Sequence, residues 1–211
     1  MHTPTPHPRH TLTRRALSLS LSLSLSLSLS LSLSLNVAQG EPTAPTAPTQ
    51  PPLEAPEAPA AATAAIERLK GSLKETLLSA LKARGPVGAL DACQLSAPQV
   101  TAAAGQGVEV GRVSHKARSP VNAPRPWMEP TLKAYVGTLA GERPARQVVA
   151  LEGGRVGVLE PIYIQPPCLA CHGEQLAEGV QERLRALYPQ DAATGFKLNE
   201  LRGFFWAEVT P

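Results

Sequence analysis

Aromatic side chains are scarce in this chain, and none of the eight lies before Trp127. A stretch that also lacks branched aliphatic residues cannot bury enough apolar surface to offset the entropy of ordering itself. Ten of the 22 prolines fall within the first 60 residues, which weakens regular structure there further. The globular part is therefore expected at residues 64–211, a length that suits one medium-sized domain. Acidic residues are missing until Glu41, whereas Arg9, Arg14 and Arg15 precede it. Cysteine is limited to three residues, methionine after the first position to Met128, and histidine after residue 40 to His115 and His172. No convincing hydrolytic triad, phosphate-binding glycine loop or paired-carboxylate site is present, and nothing marks the chain as an enzyme.

The first 40 residues hold a basic polar stretch followed by strict alternation of Leu and Ser from Leu17 to Leu35. Period-two alternation alone would suggest a two-faced strand. Its place behind a basic segment and before the small residues Ala38 and Gly40 is that of a secretory signal peptide. Residues 1–40 are thus expected to be a signal peptide cleaved before Glu41, giving a periplasmic or otherwise exported protein. Retention as a membrane anchor is the alternative. Ten Leu favour insertion by roughly 0.5 kcal/mol each, but nine Ser dilute them.

Removing residues 1–40 takes away three Arg and no acid, so 20 basic against 17 acidic residues becomes 17 against 17. The pI near 8.9 belongs to the leader, and the neutral remainder offers no footprint for nucleic acid. Residues 41–63, rich in Pro, Ala and Thr, read as a disordered linker.

Within the domain, Ile66, Leu69, Leu73, Leu77, Leu78 and Leu81 recur at helical spacing, predicting an amphipathic helix from Ala65 to Arg84. Gly85-Pro86 predicts a break, and a second helix from about Pro86 to Ala104 carries Cys93 on its apolar stripe. Val108 to Ser114 alternates like a strand, and the proline-rich stretch from Lys116 to Trp127 reads as an ordered loop. A short helix is predicted over Glu129 to Leu139. Strands at Gln147–Leu151 and Arg155–Ile164 flank Gly153-Gly154, which reads as a two-residue hairpin turn. A helix from Leu176 to Leu187 and a strand from Phe204 to Val209 follow. This order of elements predicts an α+β fold: an antiparallel sheet with two N-terminal helices and short flanking helices.

Cys168-Leu169-Ala170-Cys171-His172 is the spacing of a c-type haem attachment site. Each thiol would add to one vinyl group, and the adjacent imidazole would reach the iron. Thr13-Arg14-Arg15-Ala16-Leu17 resembles a twin-arginine signal, but that route carries folded chains, whereas haem attachment needs an unfolded one. The third cysteine, Cys93, is then unpaired in an oxidising compartment, as a buried thiol, an intermolecular disulfide partner or a second axial ligand. His115, Met128 or an open position compete for that role. Arg112, Arg118 and Arg202 are candidates to hold haem propionates, and Trp127, Ile162, Tyr163 and Phe196 to wall the haem.

Several stretches recur in order across residues 65–210: Ala92-Cys93-Gln94, Gly111-Arg112-Val113-Ser114, Arg118 to Pro124 with Trp127, Pro161-Ile162, Cys168 to Gly173, Tyr188-Pro189-Gln190-Asp191, and Arg202-Gly203. Together they resemble a family of bacterial and cyanobacterial single-haem c-type proteins. The resemblance implies a PAS-like α+β domain holding one covalent haem c, with Cys168 and Cys171 as thioether sites and His172 and Cys93 as axial ligands. Ser119 stands where that family usually has Asn, and Met128 where it has an acid, which affects loop contacts rather than ligands. The function implied is redox or redox and gas sensing, with CO or NO as ligands and a redox protein or sensory membrane protein as partner. A plain electron-transfer cytochrome is the alternative. A dithiol redox pair at Cys168 and Cys171 would leave His172 and Cys93 unexplained.

Overall fold

The structure is a computed structural model that describes residues 57–210. The expected signal peptide and residues 41–56 of the expected linker lie outside the described residues.

Helix α1 runs from Ala58 to Gly105 and is interrupted at Gly85, whose φ of 65° and ψ of −174° are accessible in practice to glycine alone. Beyond Gly85 the chain returns beside itself. Arg68 Nε donates to the carbonyl of Ala104 at 2.9 Å and Nη2 to that of Gly105 at 3.3 Å, satisfying carbonyls at the end of the second segment. The element is thus a helical hairpin, and the predicted break at Gly85-Pro86 is present. The helix starts earlier than the expected boundary at residue 64. Residues 58–63, assigned to the linker by composition, are helical, and Ala58 and Ala62 are 0% exposed. Alanines 58, 62 and 65 recur at helical spacing, and their small side chains let the helix lie close to the sheet.

Four strands follow: β1 (Glu109–Val113), β2 (Gln147–Ala150), β3 (Val156–Tyr163) and β4 (Leu201–Val209). They form one antiparallel sheet in the order β1-β4-β3-β2. Between them lie α2 (Glu129–Tyr135), α3 (Leu169–His172) and α4 (Glu178–Leu187). The α+β class is observed. The α2 helix stops at Tyr135, short of the predicted Leu139, and Gly137 follows with a φ of 84°. The β2–β3 connection is a three-residue turn, Glu152–Gly154, closed by the Leu151 N–H donating to Arg155 O at 2.9 Å. It therefore includes Glu152 as well as the two predicted glycines.

The last strand to be made, β4, is central and apolar on both faces. On one face Ala207 and Val209 join Val110 and Val158 beneath Ala62, Ile66 and Leu69 of α1. On the other, Phe204 and Trp206 join Val113, Leu159, and Met128, Leu132 and Tyr135 from the loop and α2. Aromatic rings press on the sheet backbone here. A Cβ on Gly111 would lie 2.8 Å from the Trp206 ring, and one on Gly157 would lie 2.7 Å from Trp127. Among the described residues no helix is long and apolar enough to cross a membrane.

Candidate functional site

At the end of β3 the chain is tied down by Ile164 N–H to Glu200 O and Asn199 N–H to Ile164 O, both at 2.9 Å. Pro166 and Pro167 then start a single turn that leads into α3. Prolines suit this place, since the first N–H groups of a helical turn have no internal partner. The turn puts Cys168 three residues before Cys171 and four before His172, so all three side chains leave one side of it. Cys168 borders the cluster of Ile164, Ala193 and Phe196, whereas Cys171 borders that of Leu90, Val180 and Leu184. All three cysteines are free thiols.

His172 is held from two sides. Its carbonyl accepts the N–H of Phe196 at 2.9 Å, and its Nδ1 lies 2.7 Å from the carbonyl oxygen of Ala193. A carbonyl only accepts, so Nδ1 carries the proton and Nε2 keeps its lone pair. The guanidinium of Arg118, 3.4 Å from the same Nδ1, is then a neighbour rather than a donor to it. Burial, followed by the charges of Arg202 and Arg118, pushes the imidazole well below its ordinary pKa of 6.5, against the opposing Ala193 bond. The ring is neutral, oriented and free to ligate through Nε2. It meets Phe196 edge-on at 6.3 Å.

Cys93 reaches the same place from the second segment of α1. That segment lies against α4 through Leu90 with Val180 and Leu184, through Asp91 with Arg183 at 2.5 Å, and through Gln94 with the Leu187 carbonyl. Burial raises the Cys93 thiol and the charges of Arg112 and Arg118 oppose it. Burial also raises Cys171, which lies within electrostatic reach of Cys93, Cys168 and Arg118. The structure thus gathers Cys93, Cys168, Cys171 and His172, although Cys93 and Cys168 stand 75 residues apart in sequence.

The three arginines also converge, but they are differently engaged. Arg118 bonds Asp191 Oδ2 at 3.2 Å and the carbonyls of Cys171 and Ala193 at 2.6 and 3.3 Å. It ties the segment that orients His172 to the cysteine turn. Arg202 donates to Ser114 Oγ at 2.6 Å and Lys116 O at 3.2 Å and lies 5.4 Å over the Phe196 ring. Burial, then Arg118 and Arg112, push it down to about 10. Arg112 is also lowered by burial and has no recorded ion pair or side-chain hydrogen bond among the described residues.

Other predicted residues separate. Phe196 belongs to the site, with His115 edge-on at 5.8 Å and Lys116 Nζ 4.3 Å above its ring. Met128 is 1% exposed within the core on the far face of the sheet, and Trp127 and Tyr163 pack against that core. Trp127 Nε1 and the Tyr163 hydroxyl are buried without hydrogen-bond partners. Ile162 is half-buried on β3. Sequence reasoning overlooked the Asp191–Ala193 segment, where Asp191 Oδ1 accepts the Ala193 N–H at 2.8 Å. Its one signal was the turn-forming Tyr188-Pro189-Gln190-Asp191.

A four-stranded antiparallel sheet under a helical hairpin, with an oriented histidine beside two thiols, defines an α+β protein with a thiol and imidazole site. The family model described as Tll0287-like matches residues 38–209, and the chain belongs to that family. Among solved structures, the crystal structure of the cyanobacterial heme-protein Tll0287 is similar in fold, with a TM-score of 0.51. The two are 24% identical, and the match covers 71% of this chain and 91% of that chain. No curated protein matches the chain.

Proposed function

We propose that this is an exported single-haem c-type protein with a redox or redox and gas-sensing role. Cys168 and Cys171 form the thioether bonds. Each S–H adds across a vinyl C=C, sulfur to one carbon and hydrogen to the other, so nothing leaves and no oxidant is consumed. His172 ligates the iron through Nε2, and Cys93 is the opposite axial ligand.

The observation that carries the reading is the Nδ1-bound His172 beside two thiols one turn apart, with Cys93 brought to the same place. The charges fit as well. Arg112, Arg118 and Arg202 converge, while Asp191 is the one carboxylate bonded to any of them among the described residues. That leaves two positive charges in excess, matching the two propionates of a haem. The Tll0287 relative is itself a heme-protein by its printed description, which supports the same cofactor class here.

An anionic Cys93 sulfur favours Fe(III) over Fe(II), giving a low reduction potential. On reduction Cys93 releases the iron, which frees a position for CO or NO and a signal for a partner protein. A second reading, a plain electron carrier with a second histidine ligand, draws on His115, which flanks the same Phe196 ring as His172. Met128 is a poor candidate for that position because it is enclosed in the opposite core.

One set of spectra tests the proposal. The protein matured with a haem-attachment system should give a pyridine haemochrome spectrum of the thioether type. Its ferric EPR should show a thiolate-type low-spin signal that Cys93→Ser abolishes. An unchanged signal in Cys93→Ser refutes Cys93 ligation and favours His115. A dithionite-reduced form that stays six-coordinate and ignores CO refutes the sensing role.

A further inference from the structure

Arg112 carries a charge that the chain itself does not answer. It stands on β1 two residues after Val110, and alternate side chains of a strand share a face. Val110 packs beneath α1, so Arg112 leaves the sheet on the side that the helical hairpin covers. There it is half-buried, within electrostatic reach of Cys93, Tyr188 and Arg118. Cys93 is the group the site brings to the iron, and Arg118 repels it. A guanidinium withdrawn from water needs an anion or several acceptors, because its five N–H groups otherwise lose their hydration without replacement. Arg118 has Asp191 and two carbonyls, and Arg202 has a hydroxyl, a carbonyl and an aromatic face. Arg112 has none of these among the described residues. The three arginines, alike in sequence as candidate carboxylate partners, thus divide into two that build the scaffold and one with its donors free.

We propose that Arg112 binds a haem propionate directly through a charge-assisted fork, while Arg118 and Arg202 hold the protein segments around His172 and Phe196. This rests on the haem reading above. Arginine suits the role, since its planar donors match a carboxylate in a way that lysine does not.

The test uses the holoprotein and the variants Arg112→Gln and Arg112→Lys, each first checked for covalent haem by its pyridine haemochrome spectrum. A wild-type protein without that spectrum would refute the haem reading itself, leaving the arginine assignment no cofactor to act on. With haem attached, Arg112→Gln should shift the propionate bending mode in resonance Raman spectra and lower the midpoint potential, because removing a nearby cation favours Fe(III). Arg112→Lys should keep the potential near that of the wild type while still shifting the bending mode, since it retains charge but not the fork. A haem-loaded Arg112→Gln protein with unchanged mode and potential overturns the assignment. If that variant does not accumulate, Arg112→Lys decides: a shifted mode supports the fork and an unshifted one overturns it.

Discussion

Glu160 joins the helical hairpin to the sheet. Its Oε1 accepts Lys70 Nζ of α1 at 2.6 Å, and its Oε2 accepts Arg146 at 3.0 Å. Burial alone would raise its pKa, but the hydrogen bonds and charges of Lys70 and Arg146 outweigh burial and hold it below the ordinary 4.5. A carboxylate lowered in the folded state contributes stability above its unfolded pKa and loses it as the pH falls through the folded one. Glu160→Gln should therefore cost about 1 kcal/mol at pH 7, the side chains of Lys70 and Arg146 being 45% and 40% exposed and solvent-screened. The difference from wild type should shrink below about pH 4.5 and vanish at lower pH. Urea midpoints for both proteins between pH 3 and 7 check this, and a gap that persists in acid would contradict it. At this scale the sequence was only partly informative. Residue type and spacing picked out Cys168, Cys171 and His172, because one turn of chain sets their relation. The partner of His172, however, is the backbone carbonyl of Ala193, which no side-chain pattern announces. Arg118 likewise looked like a carboxylate binder and is bound by Asp191, 73 residues away.

Helix α1 bends at one residue. Gly85 has a φ of 65° and ψ of −174°, and a Cβ there would meet nothing within 4 Å. Space is available, so the whole cost of a side chain is backbone strain of about 1–3 kcal/mol. Gly85→Ala should lower stability by about that amount, read from denaturant midpoints. Relief of the strain would open the hairpin and displace the segment that carries Cys93. If Cys93 ligates the iron, its thiolate-type EPR signal should therefore weaken along with stability. Equal stability in Gly85→Ala would show that the turn is not set by this residue. The turn itself was legible, since Gly-Pro both ends one helix and starts the next. The helix start was not, because an alanine-rich run beside prolines has the composition of a spacer until a sheet is placed against it. The β2–β3 hairpin was legible from local alternation. The central place of β4 was not, because it pairs with β1 and β3 across long stretches of chain, and pairing at such separation leaves no periodic mark on either strand.

Charge is the property of the whole molecule that changes most between the chain as written and the chain as we propose it is used. The full sequence carries a formal net charge of +3, all of it from Arg9, Arg14 and Arg15 ahead of Glu41. Cleavage after Gly40 would leave 17 basic and 17 acidic residues. Such a neutral body lacks the long-range field that draws basic proteins to nucleic acid or anionic lipid, so a partner would recognise it by shape and local contacts. The excess positive charge that remains is inward and local, at Arg112, Arg118 and Arg202, where two haem propionates would neutralise it. The protein recovered from a host that attaches haem outside the cytoplasm should therefore begin at Glu41 by N-terminal sequencing. It should fractionate with soluble exported proteins and focus well below pH 8.9. An intact N-terminus in the membrane fraction would show instead that the Leu-Ser stretch is retained as an anchor. Soluble protein that still begins at Met1 would refute export. In that case covalent haem at Cys168 and Cys171 would have no compartment in which to form.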